Sequence, residues 1–178
     1  MKKKTILIIV GASGSGKTTV AKMLEEKGVK RLITTTTRPM RESEVDGVDY
    51  HFIKEEEIPN KEFVERVVYN GYHYGLTKNE VDDKLSKHNQ LLIVMDKNGA
   101  RTMKSTYPNE VKIAQILVSK EDMMNRLSFR GESESFIESR IAHAELNKEF
   151  DPLTESDLII EGMSPLELRD WLLSMMVE

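Results

Sequence analysis

The chain has 178 residues, 39% of them hydrophobic and 31% charged, with no cysteine and a formal net charge of −4. That length suffices for one compact domain with a sizeable core. The lack of cysteine excludes disulfides and thiolate metal sites and fits a reducing, cytoplasmic setting; the acidic balance offers no broad basic face, so neither nucleic acid nor membrane is expected as a partner.

The start, Met1-Lys2-Lys3-Lys4 followed by Thr5–Val10, has the outline of a secretory leader. Its apolar run stops at Gly11 after about six residues, too short for a leader core or a membrane span, and reads as a buried strand. Gly11-Ala12-Ser13-Gly14-Ser15-Gly16-Lys17-Thr18 follows and matches G-x-x-x-x-G-K-[ST] between that strand and a helix expected over Lys17–Lys27, the context this phosphate-binding loop requires. Its glycines let successive backbone N–H groups converge on phosphate oxygens at the positive end of the helix. Lys17 is expected to reach the β and γ phosphates of ATP, the Thr18 hydroxyl to ligate Mg²⁺, and Thr19 to extend the ATP contacts.

From about Leu32 to Gln90 the strand–helix rhythm breaks. Threonines, Arg38-Pro39, Asp46-Gly47, a glutamate run and a tyrosine cluster read as an inserted α+β subdomain (about 33–90) over the carboxyl ends of the core strands, where ligands bind in such sheets. Arg38 and Arg41 precede Tyr50. Two guanidinium forks and a phenol suit a second, smaller phosphate.

Apolar runs without polar alternation predict further buried strands at Leu91–Met95, Val111–Val118 and Asp157–Ile160. Helices are expected over Asn98–Ser105, Lys120–Phe129, Ser135–Phe150 and Pro165–Val177, the last opened by a capping box, Ser164-Pro165-Leu166-Glu167. The alternation implies an α/β fold: a P-loop NTPase doubly wound parallel sheet, with core segments 1–32 and 91–178. Arg126, Arg130 and Arg140 flank the polar segment Gly131–Ser135 and read as a short lid over 126–140. Phosphoryl transfer spreads charge over the γ-phosphate oxygens, so Lys17, Arg38, Arg130 and Arg140 are the expected catalytic cations, with Arg126 on ATP. Asp96, at a strand end, is expected to orient Mg²⁺ through water or hold a phosphate-binding arginine. His51, His88 and His143 show no metal-ligand spacing, and the ten methionines, Met123-Met124 and Met175-Met176 among them, read as core filler.

The motifs TTRPMRESEVDGVDY (36–50), Phe63-Val64-Glu65, Gly71-Tyr72-His73-Tyr74-Gly75, Met95-Asp96-Lys97-Asn98-Gly99-Ala100-Arg101 and Arg126-Leu127-Ser128-Phe129-Arg130-Gly131…Arg140 together resemble the guanylate kinases along nearly the whole chain. The resemblance implies ATP-dependent phosphoryl transfer to GMP or dGMP, with Mg²⁺, in purine nucleotide metabolism, by a monomer or homodimer. It implies that Arg38, Arg41, Tyr50 and Tyr74 hold the GMP phosphate, that Glu65 accepts the guanine N1–H and exocyclic amine, and that Thr34 and Asp96 complete the GMP site. A carboxylate suits two adjacent guanine donors, which adenine lacks. The chain departs from the family pattern at Leu76, Val94, Glu161 and His73. Leu76 and Val94 leave open an acceptor other than GMP, such as another nucleoside monophosphate or a phosphorylated sugar. A third reading, a non-catalytic binding module of the same fold, expects a degraded phosphate loop, whereas Gly16-Lys17-Thr18 is complete.

Overall fold

The computed structural model describes residues 4–177; Met1, Lys2 and Lys3 of the basic start lie outside them. The core is a five-stranded parallel sheet of β1 (Thr5–Gly11), β2 (Lys30–Arg31), β7 (Gln90–Val94), β8 (Val111–Ile116) and β9 (Leu158–Ile160), in the order β2-β7-β1-β8-β9. Strand β1 lies at the centre, pairing Ile8 with Ile93 on one side and with Ile113 on the other. Both its faces are covered, which is why its sequence shows no polar alternation. Ile6, Ile8 and Val10 point into one apolar cluster with Met103, Val81 and Leu32; Leu7 and Ile9 point into the other with Val20, Leu24, Leu172 and Met176. Helices α1 (Lys17–Glu26) and α6 (Pro165–Val177) therefore cover one face, and α2 (Lys78–Lys87) and α3 (Lys97–Thr106) the other. Each fully buried aliphatic side chain contributes about 1.5–3 kcal/mol. No helix among the described residues is long and apolar enough to cross a membrane.

The segment that broke the rhythm forms a second, four-stranded sheet. Its strands are β3 (Thr35–Thr36), β4 (His51–Phe52), β5 (Phe63–Tyr69) and β6 (Tyr72–Thr77), in the order β4-β3-β6-β5. β6 runs antiparallel to both β3 and β5. Glu80, at the start of α2, ties this sheet to the core: its carboxylate accepts from the Ile33 N–H (2.8 Å) and meets Lys84 Nζ (2.6 Å) and His51 Nε2 (3.0 Å).

Helices α4 (Lys120–Phe129) and α5 (Glu134–Leu146) form a hairpin whose apolar sides, with Met123, Leu127, Ile137, Ile141 and Ala144, pack on Ala12 of the phosphate loop. Ser119 and Ser133 cap them, each accepting from the backbone three residues on. The capping box expected at Ser164–Glu167 is present, Glu167 Oε2 accepting from the Ser164 N–H at 2.9 Å.

The structure corrects three readings. The helix expected over Ser135–Phe150 ends at Leu146, because Lys148 (φ 52°) turns left-handed, its N–H donating to Glu145 O and the Glu149 N–H to Ala144 O. β8 stops at Ile116 rather than Val118, the Leu117 N–H leaving it to reach Ile160 O. The methionines are divided: Met103, Met123 and Met176 are core, whereas Met40, Met124 and Met163 are exposed.

Candidate functional site

The phosphate loop leaves the carboxyl end of β1 and enters α1. Gly11 is required there, since a Cβ would stand 2.5 Å from Ile116 O on the neighbouring strand. Lys17 folds back over the loop, its Nζ donating to Gly11 O and Ala12 O, both at 2.7 Å. Burial lowers its pKa to about 8; Glu149 opposes that shift, while Arg130 and Arg140 add to it. Ser15 Oγ is buried with no partner among the described residues, as suits a group that donates to a ligand oxygen.

Two cavities open on either side of this loop. One, of about 450 Å³, has Gly14, Ser15, Gly16 and Thr19 as its polar wall and Val118, Ile160, Met163 and Leu168 as its apolar wall, with Arg126, Phe129 and Arg130 along the hairpin side. Such a slot, apolar at one end and lined by loop amides at the other, suits an adenine and its phosphates. Arg126 donates from Nη1 to Gly14 O at 3.2 Å, so its guanidinium lies against the loop. Phe129 is 94% exposed at the rim.

The second cavity, of about 510 Å³, brings together Gly11, Ser13, Lys17, Val94, Asp96 and Arg140. Asp96 Oδ1 accepts from the Gly99 N–H at 2.8 Å and so caps α3, which positions its carboxylate at the cavity edge. Glu65, on β5, feels the charge of Asp96. Burial raises the Glu65 carboxyl above the ordinary range, Asp96 adds to this, and the Leu76 N–H opposes it.

A third cluster lies on the small sheet. Arg38 donates from Nη2 to Glu44 Oε1 at 2.6 Å and from Nη1 to Pro39 O at 2.7 Å. Its guanidinium stands 5.6 Å from the Tyr50 ring centre and 5.7 Å from that of Phe52, and the Tyr74 phenol lies near enough to help raise its pKa. The Glu44 bond holds the Arg38 pKa above its ordinary value and the Glu44 carboxyl below its own.

Of the expected residues, the structure therefore gathers Gly11, Ala12, Ser13, Gly14, Ser15, Gly16, Lys17, Thr19, Arg126, Arg130 and Arg140 around the phosphate loop. Thr18 is exposed in the first turn of α1. Arg38, Tyr50 and Tyr74 meet on the small sheet, while Arg41 is exposed and engages Glu44 through its backbone N–H. Thr34 contributes its carbonyl to the His51 N–H.

Leu76, read as a mark of altered acceptor choice, is 0% exposed and packs with Val81 and Leu32 in the core. It presents no surface to a ligand. Val94 does line the second cavity, and His73 leaves Nδ1 buried and without a partner among the described residues. Glu44, Phe129 and Glu149 were not singled out from the sequence. Glu44 and Phe129 lie within quoted motifs; Glu149 carries no local signal, since only the turn after the α4–α5 hairpin brings it to the loop.

The family model described as guanylate kinase matches residues 3–168. The guanylate kinase of Helicobacter pylori is 35% identical over 162 residues, covering 87% of this chain and 78% of that protein. That of Symbiobacterium thermophilum is 35% identical over 151 residues, covering 80% and 72%. Among solved structures, guanylate kinase from Anaplasma phagocytophilum is similar with a TM-score of 0.64 at 22% identity, over 98% of this chain and 84% of that one. A sugar kinase from Janibacter sp. reaches a TM-score of 0.54 at 17% identity, over 96% and 93%. At those identities both structures speak to fold alone.

Proposed function

The chain belongs to the guanylate kinase family, and from that premise we propose how its own residues carry ATP-dependent phosphorylation of GMP to GDP. ATP places its adenine in the apolar slot beside Met163 and Leu168 and its phosphates along the loop amides. Lys17 exchanges its bonds to Gly11 O and Ala12 O for β- and γ-phosphate oxygens. Arg130 and Arg140, whose charges already act on Lys17, neutralise the charge that spreads over the transferring group. Arg126 holds the donor from its place against Gly14.

On the acceptor side, Arg38 and Arg41, with the hydroxyls of Tyr50 and Tyr74, hold the GMP phosphate. Glu65 and Thr34 take the guanine edge, and Asp96 orders the passage between the two phosphates. The acceptor oxygen is already ionised at neutral pH, so alignment replaces a general base. Mg²⁺, when bound with ATP, would supply charge neutralisation at the phosphates. Thr18, exposed beside Lys17, and the Asp96 oxygen not used to cap α3 are hard oxygen donors that fit it.

The observation that carries this reading is the cavity of about 510 Å³ that brings Lys17 and Arg140 of the donor side together with Asp96, whose charge Glu65 feels. A coupled assay of ADP formation with GMP, dGMP, AMP, UMP and ribose bisphosphate as acceptors tests it. Turnover is expected with GMP and dGMP; comparable turnover of AMP or the sugar phosphate would refute the role given to Glu65.

A further inference from the structure

A carboxylate faces the place where this reaction gathers cations. The turn after α5 is built to put it there. Lys148 adopts the left-handed conformation that glycine usually supplies, at a cost of about 1–2 kcal/mol, and the two backbone bonds of a Schellman closure hold it: Lys148 N–H to Glu145 O (3.1 Å) and Glu149 N–H to Ala144 O (2.8 Å). Lys97 then fastens the turn to α3, its Nζ donating to Lys148 O and, at 2.6 Å, to Asp151 O. The buried Gln115 of β8 fixes the next residues, donating to Asp151 O at 2.8 Å and accepting from the Leu153 N–H at 2.6 Å. The segment is anchored from both sides.

What this places in the cavity is Glu149, which lines it together with Lys17 and Arg140. Its side chain is 20% exposed, and Oε1 stands 3.8 Å from His143 Nε2. Asp96 already supplies the carboxylate that fits Mg²⁺, and phosphoryl transfer between two anions has no use for a second, metal-free one, which repels the transferring group. A strained, doubly anchored turn that nevertheless presents one implies a role outside the chemical step.

We propose that Glu149 is a positioning residue that sets how firmly the site retains phosphate: its fixed charge keeps Lys17 and Arg140 from repelling each other between turnovers and repels the phosphates of the product nucleotide, hastening release. The inference rests on the phosphoryl-transfer reading above. Its opposition to the lowering of the Lys17 pKa is the same interaction seen from the lysine.

The test is Glu149→Gln, which keeps the side chain's size and both backbone bonds of the turn. ADP binding is measured by calorimetry at low and high salt, with Mg²⁺ and with EDTA, beside steady-state kcat for GMP and the melting temperature. The expected result is ADP binding about tenfold tighter at low salt, the size of one like charge removed at several ångströms. The gain shrinks at high salt and persists in EDTA, while kcat falls as release slows. Glu149→Asp, keeping the charge, should bind ADP as the wild type does. Unchanged or weaker ADP binding in Glu149→Gln overturns the proposal, as does a change confined to Mg-ADP, or an equal change in Glu149→Asp. Wild-type protein that binds ADP and phosphorylates GMP while Glu149→Gln shows no tightening sinks this inference alone; wild-type protein that does neither sinks the reading beneath it.

Discussion

Gly75→Ala is the most direct way to disturb acceptor recognition without touching a residue that contacts the acceptor. Gly75 sits in β6 between Thr35 of β3 and Arg66 of β5. An added Cβ would stand 2.6 Å from Glu65 O and 2.6 Å from Phe63 Cδ1. The Phe63 ring can turn aside. The Glu65 carbonyl is main chain and can yield only by shifting β5, whose register with β6 is already irregular between Phe63 and Glu65. Ordinary contact begins at 3.4 Å, so Glu65 must retreat by about 0.8 Å. Overpacking of this kind costs about 1–3 kcal/mol, which for a chain of this size lowers the melting temperature by about 2–12 °C. The same retreat moves the carboxylate that reads guanine. A displacement near 1 Å can cost up to a hundredfold in a positioned site, so KM for GMP should rise on the order of tenfold while KM for ATP holds. Steady-state kinetics with each substrate varied in turn, beside a thermal melt, decides it. Equal rises in both KM values, or a wild-type KM for GMP, would refute the reasoning.

Lys17→Ala should abolish turnover by about a thousandfold or more with the melting temperature nearly kept; in the wild type, kcat/KM for ATP should fall as pH rises through about 8, where the Lys17 ammonium is lost. Glu65→Gln should lower kcat/KM for GMP about tenfold to a hundredfold. Because burial raises the Glu65 carboxyl, wild-type GMP affinity should decline with falling pH sooner than an ordinary glutamate would dictate; an affinity that is flat across the acid range counts against that role. Glu80→Ala takes a nearly buried carboxylate from three partners and should cost about 3 kcal/mol in urea unfolding, leaving the Ile33 N–H unmet.

The core strands were legible in the sequence because both sides of a parallel sheet are covered, so Thr5–Val10 and Leu91–Met95 read as unbroken apolar runs. The phosphate loop was legible because its glycines and Lys17 answer to a fixed ligand shape. Harder to see was β2, two charged residues, Lys30 and Arg31, at a sheet edge, which pair with Leu91 and Leu92 and show no apolar run. The end of α5 was misread for a related reason: a lysine stands at the left-handed position where glycine would have announced a stop. Leu76 was read against a family pattern as a ligand-facing change, yet its neighbours place it in the core. Only the packing of distant segments reveals such a thing, and by the same token only packing brings Glu149 to Lys17.

Ala12, in the middle of the phosphate loop, is 1% exposed and shares its apolar contacts with Met123, Leu127, Ile137 and Ile141 of the helical hairpin. The hairpin that bears Arg126, Arg130 and Arg140 thus rests on the loop as on a fulcrum. It cannot lift like a free flap without opening a hole beneath Ala12. A rocking about that point would keep Ala12 covered while carrying Arg126 of α4 and Arg140 of α5 across the loop. Shortening or lengthening the turn at Gly131 changes the lever arm and leaves the pivot where it is.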